Sequence, residues 1–365
     1  MLLYKPDWDE ARQRFLAWWA GEALDRAAIA VYAPRDATPG DTAPPPAPLE
    51  CPPTPELRWT DLDYVSALNR AEHERTWYGG EAFPTWSPGY PGHAAIPTFL
   101  GCPLTLDWHT GWSAPILDGD DLDVQGLKID KTGAWWRFAI RMLQRAARES
   151  AGKSIPSIGA FGGCGDTLAA LRGTGRFLYD VIDRPGQVAA AEEYLMEMWF
   201  EVYDTFHDIV REAAGGSTCW FGLWSPGKFY AVQNDFSYTI SPRMFRELFL
   251  PVIEQQTRFL DNSVYHVDGI SAFAHVPALC ELPRLQAIQI LPGDGKPGPL
   301  HYLDTLRQVQ RAGKNLHITI PCGEVESALA LLSARGLFIQ TWCGSESEGK
   351  ALIENAKRWS KDRRM

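Results

Sequence analysis

No stretch of this chain stays apolar for the roughly 18 residues that a bilayer crossing requires. Its first residues, Met1-Leu-Leu-Tyr-Lys-Pro-Asp7, reach charge too early for a secretory leader. The expectation is a soluble, cytoplasmic protein. Basic charge is also scarce, with 35 Lys and Arg against 45 Asp and Glu and a net charge of −10. Phosphate binding needs a basic face, so this balance argues against a nucleic-acid partner. It equally disfavours a substrate carrying many carboxylates. The basic run from Lys357 to Arg364 reads as a solvated helix end. Seven cysteines, an odd number at scattered spacings, do not make a disulfide framework.

What the chain does have is apolar bulk. Of its 365 residues 45% are hydrophobic, enough to fill a sizeable core. Its 15 tryptophans read mostly as core packing. Trp108, Trp112, Trp224 and Trp342 fall near strand ends or loops, where they can wall an apolar cleft.

The periodicity alternates between strand and helix. Residues 7–24 carry a helical stripe of Phe15, Leu16, Trp18 and Trp19. Strand-like runs follow at 28–33, 82–86, 155–160, 217–224, 263–268, 286–291, 315–320 and 337–342, with an extra hairpin at 103–114. Helical patterns at 187–213, 302–312, 324–335 and 346–360 separate the later ones. Another helix opens with Ser241 as N-cap and Pro242 in its first turn, and Pro251 breaks or kinks it. Nine prolines crowd residues 34–55. Proline removes donors and fixes φ, so 34–58 is expected to be a surface excursion within one domain spanning 1–365. Eight strands alternating with helices predict an α/β fold, a single (β/α)8 TIM barrel. A doubly wound open sheet is the alternative.

In such a barrel chemistry sits at the C-terminal strand ends. Those ends offer Asp166, Asp235, His266 with Asp268, Gln289, Cys322 and Cys343. Residues two apart on a strand share a face, so His266 and Asp268 enter the mouth together. Imidazole and carboxylate there can ligate zinc or exchange protons; the plainer reading is a buried histidine satisfied by its neighbour. Cys343 ends the last strand beside a glycine, and Cys322 holds the equivalent place one unit earlier. Cys51, Cys102, Cys219 and Cys280 read as small buried hydrophobes. Gly293-Asp-Gly-Lys-Pro-Gly298 spells a dinucleotide fingerprint, but Pro297 and Pro299 spoil the helix start that such a site needs.

Three segments carry a family resemblance. They are Phe161-Gly-Gly-Cys-Gly-Asp-Thr-Leu-Ala-Ala-Leu-Arg-Gly173, Asp235 with Ile240-Ser-Pro-Arg-Met-Phe-Arg-Glu-Leu-Phe-Leu-Pro251, and Gly336-Leu-Phe-Ile-Gln-Thr-Trp-Cys343. Together they resemble the uroporphyrinogen-decarboxylase-like superfamily, nearer its corrinoid-dependent methyltransferase branch than the decarboxylase. The resemblance covers most of residues 150–358 and is weak before 150. It implies methyl transfer between a corrinoid on a partner protein and a small substrate. Zinc would sit on His266, Asp268 and Cys343. The acid–base residues would be His266, Asp268 and Asp235, with Gln289, Asp166, Trp108 and Trp224 against the substrate. His266-Val-Asp268 departs from the branch's His-x-Cys, and a carboxylate in place of a thiolate makes the site harder. A lyase acting through Asp235 or Asp268, and a barrel that binds without catalysis, are the rivals.

The decarboxylase's arginine-rich motif, which clasps the substrate's carboxylates, has no counterpart after Tyr32-Ala-Pro-Arg35. The purified protein is therefore expected to form no coproporphyrinogen from uroporphyrinogen, as chromatography of the oxidised porphyrins would show. Detectable product would move the chain to the decarboxylase branch.

Overall fold

Six parallel strands and one antiparallel edge strand make the central sheet. In the computed structural model, residues 1–36 and 49–363 are described. The strands in chain order are β1 Ala28–Pro34, β2 Thr76–Gly80, β3 Thr85–Trp86, β4 Leu104–Leu106, β5 Gly111–Ser113, β6 Ile155–Pro156 and β7 Ser217–Thr218. They continue with β8 Trp224–Ser225, β9 Phe229–Gln233, β10 Asn262–Asp268, β11 Ala287–Leu291, β12 Asn315–Thr319 and β13 Leu337–Trp342. The main sheet runs β2-β1-β13-β12-β11-β10-β9, with only β2 antiparallel. Single backbone bonds connect the short strands: Ile155 N–H to Pro84 O at 2.9 Å, Ser157 N–H to Trp86 O at 3.1 Å and Ile158 N–H to Thr218 O at 3.2 Å. Hydrogen-bonded pairing thus yields an α/β sheet with helices around it, and does not by itself close a ring. The strands β4 and β5 form the expected hairpin.

Two strands differ from expectation. The run 217–224 is not one strand: the chain turns back after β7, and β8 pairs antiparallel to it. The next apolar run, Phe229-Tyr-Ala-Val-Gln233, is the strand that pairs with β10. This reversal moves Trp224 away from any cleft. Its side chain is fully buried and lies edge-on to Trp8 with ring centroids 5.5 Å apart. There it belongs to an aromatic plug carried by the helix Trp8–Trp19, with Phe15 stacked on Phe338 at 5.7 Å. The indole N–H groups of Trp18 and Trp19 donate to Gly336 O and Trp224 O, so the plug leaves no orphaned donor there.

The helix Pro185–Ala214 packs Leu195, Trp199, Val202, Phe206 and Val210 inward at three- and four-residue steps. It begins with Pro185, whose missing N–H costs nothing in a first turn. It ends at Gly215, whose φ of 56° is a left-handed cap that glycine adopts without strain. Ser241 Oγ accepts the Met244 N–H as expected, and the helix passes through a π-helical turn at Phe245–Phe249 before Pro251. Of the proline-rich stretch 34–58, residues 37–48 lie outside the described ones. Its end is helical rather than a loop, because Thr54 caps Pro55–Thr60. Cys51 is exposed, unlike the buried Cys102 and Cys219. No helix among the described residues is long and apolar enough to cross a membrane.

The edge of the sheet is held by buried charge. Arg26 donates two parallel bonds to Glu81, at 2.7 and 2.9 Å, and Glu81 also accepts the Ile29 N–H. Buried Lys5 donates to the carbonyls of Tyr78 and Gly80 on β2. Removing one member of a buried pair strands the other. Glu81→Ala is expected to lower the unfolding free energy by about 3–5 kcal/mol, measured as a lower denaturant midpoint at unchanged slope. A loss under about 1 kcal/mol would show that Arg26 finds water instead.

Candidate active site

Strand register assembles the site. In the parallel pairs β9–β10 and β10–β11, His266 lies level with Gln233 on one side and Gln289 on the other. Asp268, two residues further on, shares the His266 face, and the carboxylate Oδ2 is 3.9 Å from His266 Nε2. Gln289 Oε1 lies 2.5 Å from His266 Nδ1. An amide oxygen only accepts, so Nδ1 carries the proton and Nε2 is left with a free lone pair.

A Gly-rich turn brings the third segment. A Cβ on Gly163 would stand 2.2 Å from Gln233 O, and one on Gly165 would stand 2.7 Å from the Asn234 amide. Only glycine lets the start of the helix Cys164–Arg172 approach β9 so closely. That approach sets Asp166 against the backbone beyond β9, where it accepts the Phe236 N–H at 3.1 Å and the Gln233 Nε2–H at 3.2 Å. Gln233 Nε2 also lies 3.5 Å from Asp235 Oδ2. Gly269, with φ at 85°, lets the chain turn after Asp268; a Cβ there would meet the Tyr238 ring at 2.6 Å.

Asp166, Asp235 and Asp268 line one open cavity of about 790 Å³ with Trp112, Phe236 and Tyr238. The loop Pro292-Gly-Asp-Gly-Lys296 lines its other side, so the glycine-rich run serves as a wall and leads into a short 3-10 turn at Pro299–Tyr302, not an α-helix. This volume suits a small molecule. Lys296 is the cation among these lining groups, so the cavity is acidic.

Burial and then the Asp166 and Asp268 charges push Asp235 up to about 8. Water reaches Asp235 through the mouth while protein surrounds it on its other sides, so the shift comes from a cleft rather than full enclosure. Burial also raises Asp166, opposed by its bonds from Phe236 and Gln233. His266 moves the other way, lowered by burial against the Gln289 bond. At neutral pH the centre therefore pairs a neutral imidazole with a protonated Asp235.

The expected zinc set does not come together. His266 and Asp268 group with Asp235, their ligand atoms all within 4.8 Å of one another. Cys343 instead groups with Cys322 and Glu348 within the same distance. Burial, with Cys322 and Glu348 nearby, pushes the Cys343 thiol up to about 12. The reason for the split is that Cys343 lies one residue beyond β13 and four strands along from β9. Trp108 is partly exposed on the turn of the hairpin, with its carbonyl held by Arg58, and is not among the cavity-lining residues; Trp112, on β5, is. Sequence reasoning missed Phe236, Tyr238 and Lys296. The apolar run 229–233 behind Pro226-Gly227 was the signal for β9, and hence for the loop that carries Phe236 and Tyr238.

Unfolded Asp235 would release its proton near 3.8, whereas the folded group holds it to about 8. Between these values the folded state binds more protons, so stability falls as pH rises through that window. Asp235→Asn removes the penalty. Its melting temperature should exceed that of the wild type by roughly 1–3 °C near pH 9 and match it near pH 4. A variant less stable than wild type at the alkaline end would contradict the cleft electrostatics.

No protein-family model matches the chain, and no curated protein does. Among solved structures it is similar to a methyltransferase from Methanosarcina mazei, with a TM-score of 0.62 and 11% identity. The match covers 95% of this chain and 98% of that one. At that identity the likeness is one of fold: this chain shares the architecture of that methyltransferase over nearly its whole length.

Proposed function

We propose that the chain is a methyltransferase of the uroporphyrinogen-decarboxylase-like superfamily, moving a methyl group between a corrinoid on a partner protein and a small substrate in the acidic cavity. The observation that carries this reading is the convergence of Asp166, Asp235 and the β10 pair His266 and Asp268, from three segments, around the C-terminal ends of the parallel strands β9 and β10. A ligand site at that edge is where barrels keep their chemistry. The backbone bonds joining β3, β6 and β7 support a barrel that closes through these short strands. The shared fold with a methyltransferase supports the reaction class. The open cavity speaks against a barrel that has filled in and lost its chemistry.

Asp235, His266 and Asp268 fit a zinc-class ion. His266 Nε2 is the free nitrogen, fixed in direction by Gln289, and the clustered carboxylates repel one another until a cation relieves them. A bound ion there would act as a Lewis acid on the heteroatom that gives or takes the methyl group. Two oxygens and one nitrogen make that ion harder than the thiolate-rich set of the family. The protein's own contributions follow from the geometry. Gln289 holds the imidazole, Asp166 fixes the Asp235 loop, and Trp112 and Tyr238 offer exposed aromatic faces at the rim against which a flat macrocycle can rest. Without an ion Asp235 holds a proton near neutrality, and that proton would pass to solvent as the carboxylate takes up the ion.

That same proton favours a second reading, a lyase in which Asp235 protonates the carbanion left by loss of carbon dioxide. One experiment separates the two. Anaerobic protein is mixed with methylcobalamin and a panel of small thiols and amines, and the corrinoid spectrum is followed. Wild type should accelerate demethylation well above buffer, while His266→Ala and Asp235→Asn should each lose roughly 100-fold. No acceleration with any acceptor, together with carbon dioxide release from a small carboxylic acid, would replace the transferase with the lyase.

A further inference from the structure

We propose that Cys322, Cys343 and Glu348 form a second metal centre, separate from the cleft and suited to a soft divalent ion of the zinc class. The placement follows from strand register. Parallel strands β12 and β13 pair Thr319 with Gln340, and each cysteine lies three residues beyond its paired residue (319 to 322, 340 to 343). The two sulfurs therefore emerge side by side from adjacent strand ends. With a Glu348 oxygen they lie within 4.8 Å of one another.

The third ligand is held in place before any ion arrives. Ser345 Oγ caps the helix Glu346–Trp359 by accepting the Glu348 N–H at 3.1 Å. That fixes the first turn and aims the Glu348 carboxylate back at the strand ends. One oxygen accepts the Gly344 N–H at 2.7 Å, and the other accepts the Cys322 S–H at 3.3 Å. Among the described residues Glu348 has no Lys or Arg partner, although Glu346, two residues earlier, pairs with Lys350. The position of a cation beside Glu348 is taken by a thiol proton.

Two sulfurs and one oxygen select against calcium and magnesium, which demand oxygen shells. A divalent ion would displace one proton from each thiol as two metal–sulfur bonds form, and both protons would pass to solvent. Three protein ligands leave a fourth tetrahedral position open. Cys343 is buried and Cys322 partly exposed, so the ion would enter from the Cys322 side. Nothing in this centre draws on the cleft residues, so it stands or falls apart from the methyl-transfer reading.

The test uses the full reduced chain, stripped with chelator and titrated with cadmium while the ultraviolet thiolate-to-metal charge-transfer band is followed. Wild type should take up one ion with that band. Cys322→Ser and Cys343→Ser should each weaken binding at least about ten-fold and diminish the band, whereas His266→Ala should keep it. Glu348→Gln leaves both thiols and the helix cap in place, and should keep the band at weaker affinity. The proposal is overturned if wild type shows no band, or if the cysteine variants bind as wild type does. Unchanged affinity in Glu348→Gln, or a Cys322–Cys343 disulfide found by peptide mass in place of metal uptake, would overturn it as well.

Discussion

The register of three parallel strands governs everything at the cleft. His266 is level with Gln233 and Gln289 because β9, β10 and β11 pair in that one alignment. A slip of one residue would turn His266 and Asp268 to the opposite face and carry Val267 into the mouth. Register is coupled to packing: Val264, Tyr265 and Val267 on β10 and Ile288 and Ile290 on β11 are all buried, so a slip would unpack both faces of the strands. The same logic at β12 and β13 sets two cysteines side by side. One sheet edge thus carries an oxygen-and-nitrogen group over β9 and β10 and a sulfur-rich group over β12 and β13.

Close backbone approach supplies what register cannot. Gly163 and Gly165 bring Asp166 against the loop after β9, and the bonds to Phe236 N–H and Gln233 fix that carboxylate beside Asp235. Like charges at that spacing do not all ionise together. The cleft answers by keeping a proton on Asp235 near neutrality, at the expense of stability at high pH. A poised acid is therefore a consequence of the packing of a glycine turn against a strand end. Shifted proton affinities of this kind cluster at functional sites.

Much of this was legible in the sequence. Long helices followed from periodicity because each buries one apolar stripe, and the β10–β13 strands followed from short apolar runs buried on both faces. His266, Asp268 and Gln289 were found because strand ends are readable from where apolar alternation stops. The misses have a common cause. Reading 217–224 as a single strand hid a reversal of only a few residues, and with it β9 and the return that buries Trp224. The His266–Asp268–Cys343 set came from resemblance, and resemblance carries positions along the chain but not distances between them. In space Cys343 has nearer partners, Cys322 and Glu348, that share no motif with it.

The central proposal is that Asp235, His266 and Asp268 together hold an ion in the acidic cleft. Zinc-edge X-ray absorption on the zinc-loaded Cys322→Ser, Cys343→Ser double variant addresses it most directly, because the sulfur-rich group is then gone. The expected result is bound zinc with a shell of oxygen and nitrogen alone at roughly 2.0–2.2 Å and the outer scattering of one imidazole. Zinc absent from that variant, or a remaining sulfur shell near about 2.3 Å, would contradict the account.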